Sequence, residues 1–392
     1  MVKPNPVVVY AKRTPIGKMG GVFRNAEPED LIAPLIKDAV SQCRLDANQI
    51  DEVILGNVVG PGGNLARLAA LTAGLPLHVP GVTVDRQCGA GLEAIILACR
   101  MVQAGAGDIY LAGGVESTSR APWKMEKPSN LYAKPPRLFG RARFSPDDIG
   151  DPEMGEAAEN VAEQFQITRA DQDEWALRSH QKAVQAMQGG TFAKLILPID
   201  TLQGMVDQDE CPRPDTNMDK LAALRPVFRQ GGTVTAGNAC PINDGACLTV
   251  IMSEQKARQL GITPLLRFVD SVSMGIDPLI LGAGPIPAVT RLLDKTGVTT
   301  EELTRIEFNE AFASQVLACI RELRLPIDRV NPDGGAIALG HPYGASGAVL
   351  VTHLAHGMAA SSVDGANSAY GLATLGIGGG LGLAALFERV ND

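Results

Sequence analysis

Cys88 stands in Val84-Asp85-Arg86-Gln87-Cys88-Gly89-Ala90-Gly91-Leu92-Glu93-Ala94, which reads as a strand end, a sharp turn and the first turn of a helix. A thiol at a helix N-terminus meets the partial positive charge of aligned peptide dipoles. Its thiolate is therefore expected to be favoured, and nucleophilic near neutral pH. The small residues after it leave room for a carbonyl to approach backbone N–H groups. A cysteine here is also an ordinary packing residue, so the nucleophile reading needs a partner, and histidine is the usual one. Of the five histidines, at 78, 180, 341, 353 and 356, only His341 lies in a tight glycine turn, Gly340-His341-Pro342-Tyr343-Gly344-Ala345-Ser346-Gly347. Asn309 ends an apolar run and opens Asn309-Glu310-Ala311-Phe312-Ala313, where its amide suits a water or a carbonyl oxygen. The run Gly376-Ile377-Gly378-Gly379-Gly380 offers N–H groups unobstructed by side chains, suited to an oxyanion hole. It fits a dinucleotide-binding fingerprint poorly.

The elements that must position these residues alternate between strand and helix. Val7–Tyr10 reads as a buried strand, and apolar residues at 31, 32, 35, 36, 39 and 40 make a helical stripe. Strands are expected at 52–58 and 108–114, with helices at 64–73 and from Cys88 to about 104. The class is α/β, with helices covering the sheet. The third part of the chain repeats the first. Helix, short polar linker and strand recur over 31–57 and 285–312, and matching Val53 to Ile306 sets an offset of 253 residues. That offset carries Cys88 onto His341. The glycine strand end Leu111-Ala112-Gly113-Gly114 likewise has its counterpart in Leu375–Gly380. Two related halves packed about a pseudo-two-fold axis would turn Cys88 and His341 toward one pocket.

Between 118 and 240 the character changes. Lys124, Lys127, Lys134, Arg137, Arg141 and Arg143 face one acid, Glu126, over 123–145, a basic island suited to a solvated loop, a phosphate-bearing ligand or a neighbouring subunit. Helices are expected at 155–166 and 169–189, the second opened by Thr168 as N-cap with Asp171 three residues on. This region reads as an insertion. The expected organisation is 1–117 with 241–264 for one half, 118–240 for an inserted loop domain, and 265–392 for the other half.

A length of 392 residues with 45% hydrophobic content allows a large core. A formal charge of −8 disfavours nucleic acid or an anionic membrane as partner, and no apolar run reaches a membrane span. Seven cysteines, at 43, 88, 99, 211, 240, 247 and 319, show no C-x-x-C pair, so reduced thiols, no metal site and a cytoplasmic location are expected. The terminal Val390-Asn391-Asp392 is no peroxisomal address.

Taken in order, these motifs resemble the thiolase family, the acetyl-CoA acetyltransferases and 3-ketoacyl-CoA thiolases. The resemblance rests on Asp85–Gly91, Gly113–Ser117, Met154–Asn160, Leu224-Arg225-Pro226, Thr233–Asp244, Gly284–Ala288, Asn309–Ala313 and, most strongly, Asn331–Pro342. It implies a five-layer α-β-α-β-α fold of two duplicated halves with the inserted loop domain covering coenzyme A. It also implies acyl-CoA substrates, coenzyme A as substrate and product rather than a resident cofactor, and a homodimer or homotetramer. By the same resemblance Cys88 takes the acyl group, His341 activates it and binds the thioester oxygen, and Asn309 holds a water in that oxyanion hole. The Cys88 and Gly378 N–H groups would form a second hole. Arg213, Phe228 and Cys240 would line the coenzyme A path, with Phe312 and Met154 beside the acyl pocket.

The departures bear on mechanism. The family carries a second cysteine where this chain has Gly376, so no acid/base side chain stands there. General acid/base assistance is typically worth ~10²–10⁴-fold. Acyl loading on Cys88 is expected to survive, and the carbon–carbon bond step to be impaired or altered. Two alternatives are a decarboxylating condensing enzyme using a malonyl thioester and a non-catalytic coenzyme A-binding paralogue. Glu153 stands where relatives often have histidine, Cys240 where they often have serine, and Ala311 brings no further thiol.

Overall fold

The computed structural model describes residues 4–128, 130, 135–360 and 369–390. Its principal strands are β1 (Pro6–Arg13), β2 (Glu52–Gly56), β3 (Gly81–Val84), β4 (Ile109–Ser117), β5 (Asn243–Ser253), β6 (Leu266–Gly275), β7 (Leu303–Phe308), β8 (Tyr370–Ile377) and β9 (Leu381–Arg389). The principal helices are α1 (Pro28–Gln42), α2 (Leu65–Thr72), α3 (Ala90–Ala104), α4 (Met154–Gln164), α5 (Arg169–Gln188), α6 (Pro285–Thr296), α7 (Ala313–Leu323) and α8 (Tyr343–Ala360). The strands form one path, β7-β8-β9-β6-β1-β5-β4-β2-β3, on which β1 and β6 join the two halves through Val7↔Arg267 and Val8↔Leu266. β4 and β5 are buried at every residue, as strands covered on both faces must be.

Three apolar clusters divide the layers. One joins α1 and α2 to the outer face of the first half-sheet. The middle one packs α3 against α8 between the half-sheets, with Leu92, Ile95, Val351 and Leu354 buried in it. The third covers the second half-sheet with α6 and α7, and the insertion's Val161, Ile167, Trp175 and Ala176 belong to it. The first helices of the insertion therefore pack on the second half, while its later segment reaches the first half through Ile199 and through Phe192, Leu195 and Ile196 against Ile16. Thr168 and Asp171 form the expected capping box on α5.

The duplication is visible in the topology. In the first half β2 pairs in parallel with β3 and β4, and β4 pairs antiparallel with β5. In the second, β7 pairs in parallel with β8 and bridges Val330, and β8 pairs antiparallel with β9. α3 begins at Ala90 and α8 at Tyr343, a step of 253 residues. The sequence offset is thus the structural one. Expected boundaries moved by a few residues, most at β4, which runs on through its glycines to Ser117 because the β5 ladder continues to Asp244.

Small residues let the halves meet closely. A Cβ on Gly56, Gly91 or Gly114 would stand 2.7, 2.6 or 2.0 Å from the Gly344 carbonyl oxygen, so any side chain there pushes the His341 turn away from the first half. Glu116 closes the same joint, accepting from Asn57 Nδ2, from the Val58 and Val59 N–H groups, and from Gly344 N–H at 3.0 Å.

Candidate active site

Cys88 lies two residues before α3, after Gln87, whose φ of +48° makes the turn sharp. The Gly378 N–H and the N–H of Cys88 itself lie close enough to the sulfur to favour its thiolate. The expectation of an easily ionised thiol is corrected. Burial, with Glu116 and Asp85 nearby, pushes the Cys88 thiol up to about 11, against the two N–H donors. Desolvating a charged sulfur costs more than the helix terminus returns.

His341 is held on the opposite wall. Gly340 precedes it with φ of +113°, and a Cβ there would stand 2.5 Å from the Asn243 side chain. That contact is the point of the turn, because Asn243 Oδ1 accepts the His341 N–H at 2.9 Å. His341 Nδ1 lies 2.6 Å from Ser346 Oγ in the first turn of α8, while Nε2 is buried with no partner. Burial holds its pKa down to about 4, so the ring is neutral and offers a free nitrogen at working pH.

Asn309 follows β7, its N–H donating to Thr374 O at 3.1 Å. Its side-chain Nδ2 is another buried, unpartnered donor. A cavity of about 20 Å³ runs beside Asn309 and Ser346, room for a single water. Glu310, next in sequence, is an anchor: it accepts from Trp175 Nε1, Ser179 Oγ, Asn331 Nδ2 and the Ile337 N–H.

Segment 239–242 crosses between these walls. Ala239 bridges Phe312, the Cys240 N–H donates to Ala311 O at 3.0 Å, and Ile242 bridges His341. Gly376 lies on β8, two residues before Gly378. A Cβ on it would stand 2.6 Å from Gln315 Nε2, a third buried donor without a partner.

Among the expected coenzyme A contacts, Arg213 lines a cleft of about 210 Å³ with Lys18, Lys220, His180, Leu224 and Ala239. Phe228 packs edge-on against Phe312, centroids 6.2 Å apart, and covers Gly155 beside Met154. Cys240 is the next residue along that wall. Much of the basic island is neutralised: Arg141 pairs with Asp151 and Glu153, Arg143 with Asp147, and Arg137 with Glu126. Lys134 lies outside the described residues, as do Asn391 and Asp392. The sequence reading missed Lys18, Lys220, Gln315 and Tyr343. Only Tyr343 was signalled, being the one aromatic in the His341 turn, where its ring packs edge-on with the imidazole at 5.2 Å. All seven cysteines are free. Among the described residues no His/Cys/Asp/Glu group could hold a metal, and no helix is long and apolar enough to cross a membrane.

A thiol, a neutral imidazole and converging N–H donors at the meeting of two duplicated α/β halves define a cysteine-dependent acyltransferase. The chain belongs to the thiolase family: residues 6–255 match the thiolase N-terminal domain and residues 262–389 the thiolase C-terminal domain. It is 49% identical over 385 residues to the putative acetyl-CoA C-acetyltransferase VraB of Staphylococcus epidermidis, covering 98% of each chain. Over 384 residues it is 47% identical to the VraB of Staphylococcus aureus, covering 98% of this chain and 99% of that one. The crystal structure of the Bacillus anthracis acetyl-CoA acetyltransferase superposes with a TM-score of 0.93 at 39% identity, covering 99% of this chain and 100% of that one.

Proposed function

We propose that this protein is an acetyl-CoA C-acyltransferase that carries its acyl group on Cys88, with the carbon–carbon bond step altered at Gly376. The observation that carries the reading is the Cys88 sulfur under the Gly378 N–H, across from a buried His341 with Nε2 unpaired. In loading, the thiol proton passes to His341 Nε2 as sulfur attacks the thioester carbonyl, and from there to the leaving coenzyme A sulfur. The Cys88 and Gly378 N–H groups receive the oxyanion. For the second acyl-CoA, His341 Nε2 and a water on Asn309 serve the thioester oxygen. The 118–240 insertion, carrying Arg213 and Phe228, covers coenzyme A. A second copy of the chain meets the free edge of β3, where Leu68, Leu71, Leu77 and Val82 are exposed; a one-chain mass by light scattering would remove that part.

Radiolabelled acetyl-CoA should label Cys88, and an unlabelled protein would sink the reading. Product formation from acetyl-CoA alone is then compared with acetyl-CoA plus malonyl-CoA. Condensation only with malonyl-CoA would replace the thiolase-like reading with a decarboxylating one.

Gly376→Cys should raise acetoacetyl-CoA thiolysis at least about tenfold, the low side of what an acid/base group contributes. The nearest obstacle to the new Cβ is the far end of the flexible Gln315 side chain, which can turn aside; the Gly282 and Leu281 carbonyl oxygens, at 3.2 and 3.3 Å, need to give by a few tenths of an ångström. An unchanged rate would show that the pocket has diverged beyond one missing thiol.

A further inference from the structure

Five of the seven cysteines are buried; Cys88 and Cys240 alone are part-exposed. The Cys240 segment bridges the His341 turn through Ile242 and Phe312 through Ala239, and Cys88 is near enough to bear on the Cys240 thiol. Cys240 is pinned by its own N–H to Ala311 O and by its neighbours' bridges to Phe312 and His341. Cys240 therefore stands between the Asn309 loop and the His341 turn, each of which presents a buried nitrogen without a partner. A thioester whose oxygen those donors hold has its α-carbon within a few ångströms of that oxygen.

We propose that Cys240 is the acid/base group of the carbon–carbon bond step, taking and returning the α-proton that Gly376 has no side chain to carry. The proposal rests on the Cys88-loading reading above. In condensation the Cys240 thiol gives its proton to the free His341 Nε2, which then donates a hydrogen bond to the thioester oxygen, and the resulting thiolate removes the α-proton of the second acyl-CoA. The enolate carbon attacks the acyl-Cys88 carbonyl, the carbon–carbon bond forms and the Cys88 thiolate leaves. That thiolate takes the proton from His341, so the cycle ends with two thiols, a neutral imidazole, 3-ketoacyl-CoA and the coenzyme A released in loading. Thiolysis is the reverse.

Burial and the groups facing Cys240 keep it a thiol at rest. Burial first, then Cys88, pushes the Cys240 thiol up, with Glu310 and Cys211 adding to it. The Tyr343 phenol is held protonated by burial, with Cys240, Cys88 and Glu116 adding to it, and is not a competing base.

The test is Cys240→Ser, alone and with Gly376→Cys. The single variant should lose about 10²-fold or more in kcat for acetoacetyl-CoA thiolysis. Its KM for coenzyme A should move by less than about threefold, and Cys88 should still take label from acetyl-CoA. It should also stop exchanging the α-protons of acetyl-CoA with D₂O. Adding Gly376→Cys should restore both thiolysis and exchange. Unchanged kcat and exchange in Cys240→Ser would overturn the proposal, and so would a rise in KM alone, which would make Cys240 a coenzyme A contact. Absence of Cys88 label in the unmodified protein would defeat the loading reading instead.

Discussion

Cys88→Ser should abolish acyl-enzyme formation, with turnover falling at least about 10⁴-fold, the scale on which loss of the nucleophile acts in acyl-transfer enzymes. The size follows from the site having one sulfur under the Gly378 N–H and a partner tuned to a thiol. His341, held neutral by burial down to about pH 4, accepts a proton from a group pushed up to about 11 only as the sulfur attacks. A serine hydroxyl is a far weaker acid and leaves that transfer uphill. The same pair of values sets the pH behaviour. The thiol–imidazole form is the populated one from about 4 to about 11, so loading by acetyl-CoA should be flat across neutral pH. It falls in acid, where His341 gains a proton, and changes at high pH, where Cys88 loses its own. Alkylation by iodoacetamide needs the thiolate and should keep rising with pH toward 11. Mass spectrometry of Cys88 alkylated at pH 6 to 10 measures this, and a plateau near pH 7 would mean a preformed thiolate–imidazolium pair.

What the sequence disclosed about the site was position rather than energetics. Val53 and Ile306 are related by a duplication, so their offset places Cys88 and His341 at equivalent turns, and α3 and α8 begin that same distance apart. A repeat is legible because it is written in residue order. The ionisation of Cys88 is not, because it depends on what excludes water: Ile377 against Gly89 and Phe144 against Gly378, neither adjacent in sequence. The charge balance of the basic island is hidden for a similar reason. Its arginines found Asp147, Asp151 and Glu153 just beyond the window in which the charges were weighed. Gln315 sits in an apolar helix, and nothing in that pattern announces an unpaired amide donor beside Gly376.

Asp209→Ala should be the most destabilising single change outside the central core, costing about 3–5 kcal/mol because it strands a buried charge. Arg13 and Asp209 are both fully buried, and the guanidinium forks onto both carboxylate oxygens at 2.6 and 2.8 Å. Arg13 is further held by His353 Nε2 at 3.2 Å and by the face of Phe192 at 5.3 Å. His353 cannot take up the charge relation in place of Asp209. Burial first, and then Arg13 itself, keeps its pKa well below the usual value, and so it stays neutral. Asp209 Oδ1 also accepts the Ile16 N–H at 2.8 Å, and Glu210 receives the Lys18 N–H at 2.8 Å. The pair therefore ties the segment bearing Cys211 and Arg213 to the end of β1 and to Lys18, two sides of the cleft assigned to coenzyme A. Asp209→Ala should lower the thermal midpoint and raise the KM for coenzyme A together. In Arg13→Met/Asp209→Leu the buried charge is gone. Most of the midpoint should return, while the KM stays high because the Ile16 N–H has lost its acceptor and the segment its register. A double variant restoring both would mean that the pair only fills space, and an Asp209→Ala protein as stable as the parent would mean that water reaches Arg13.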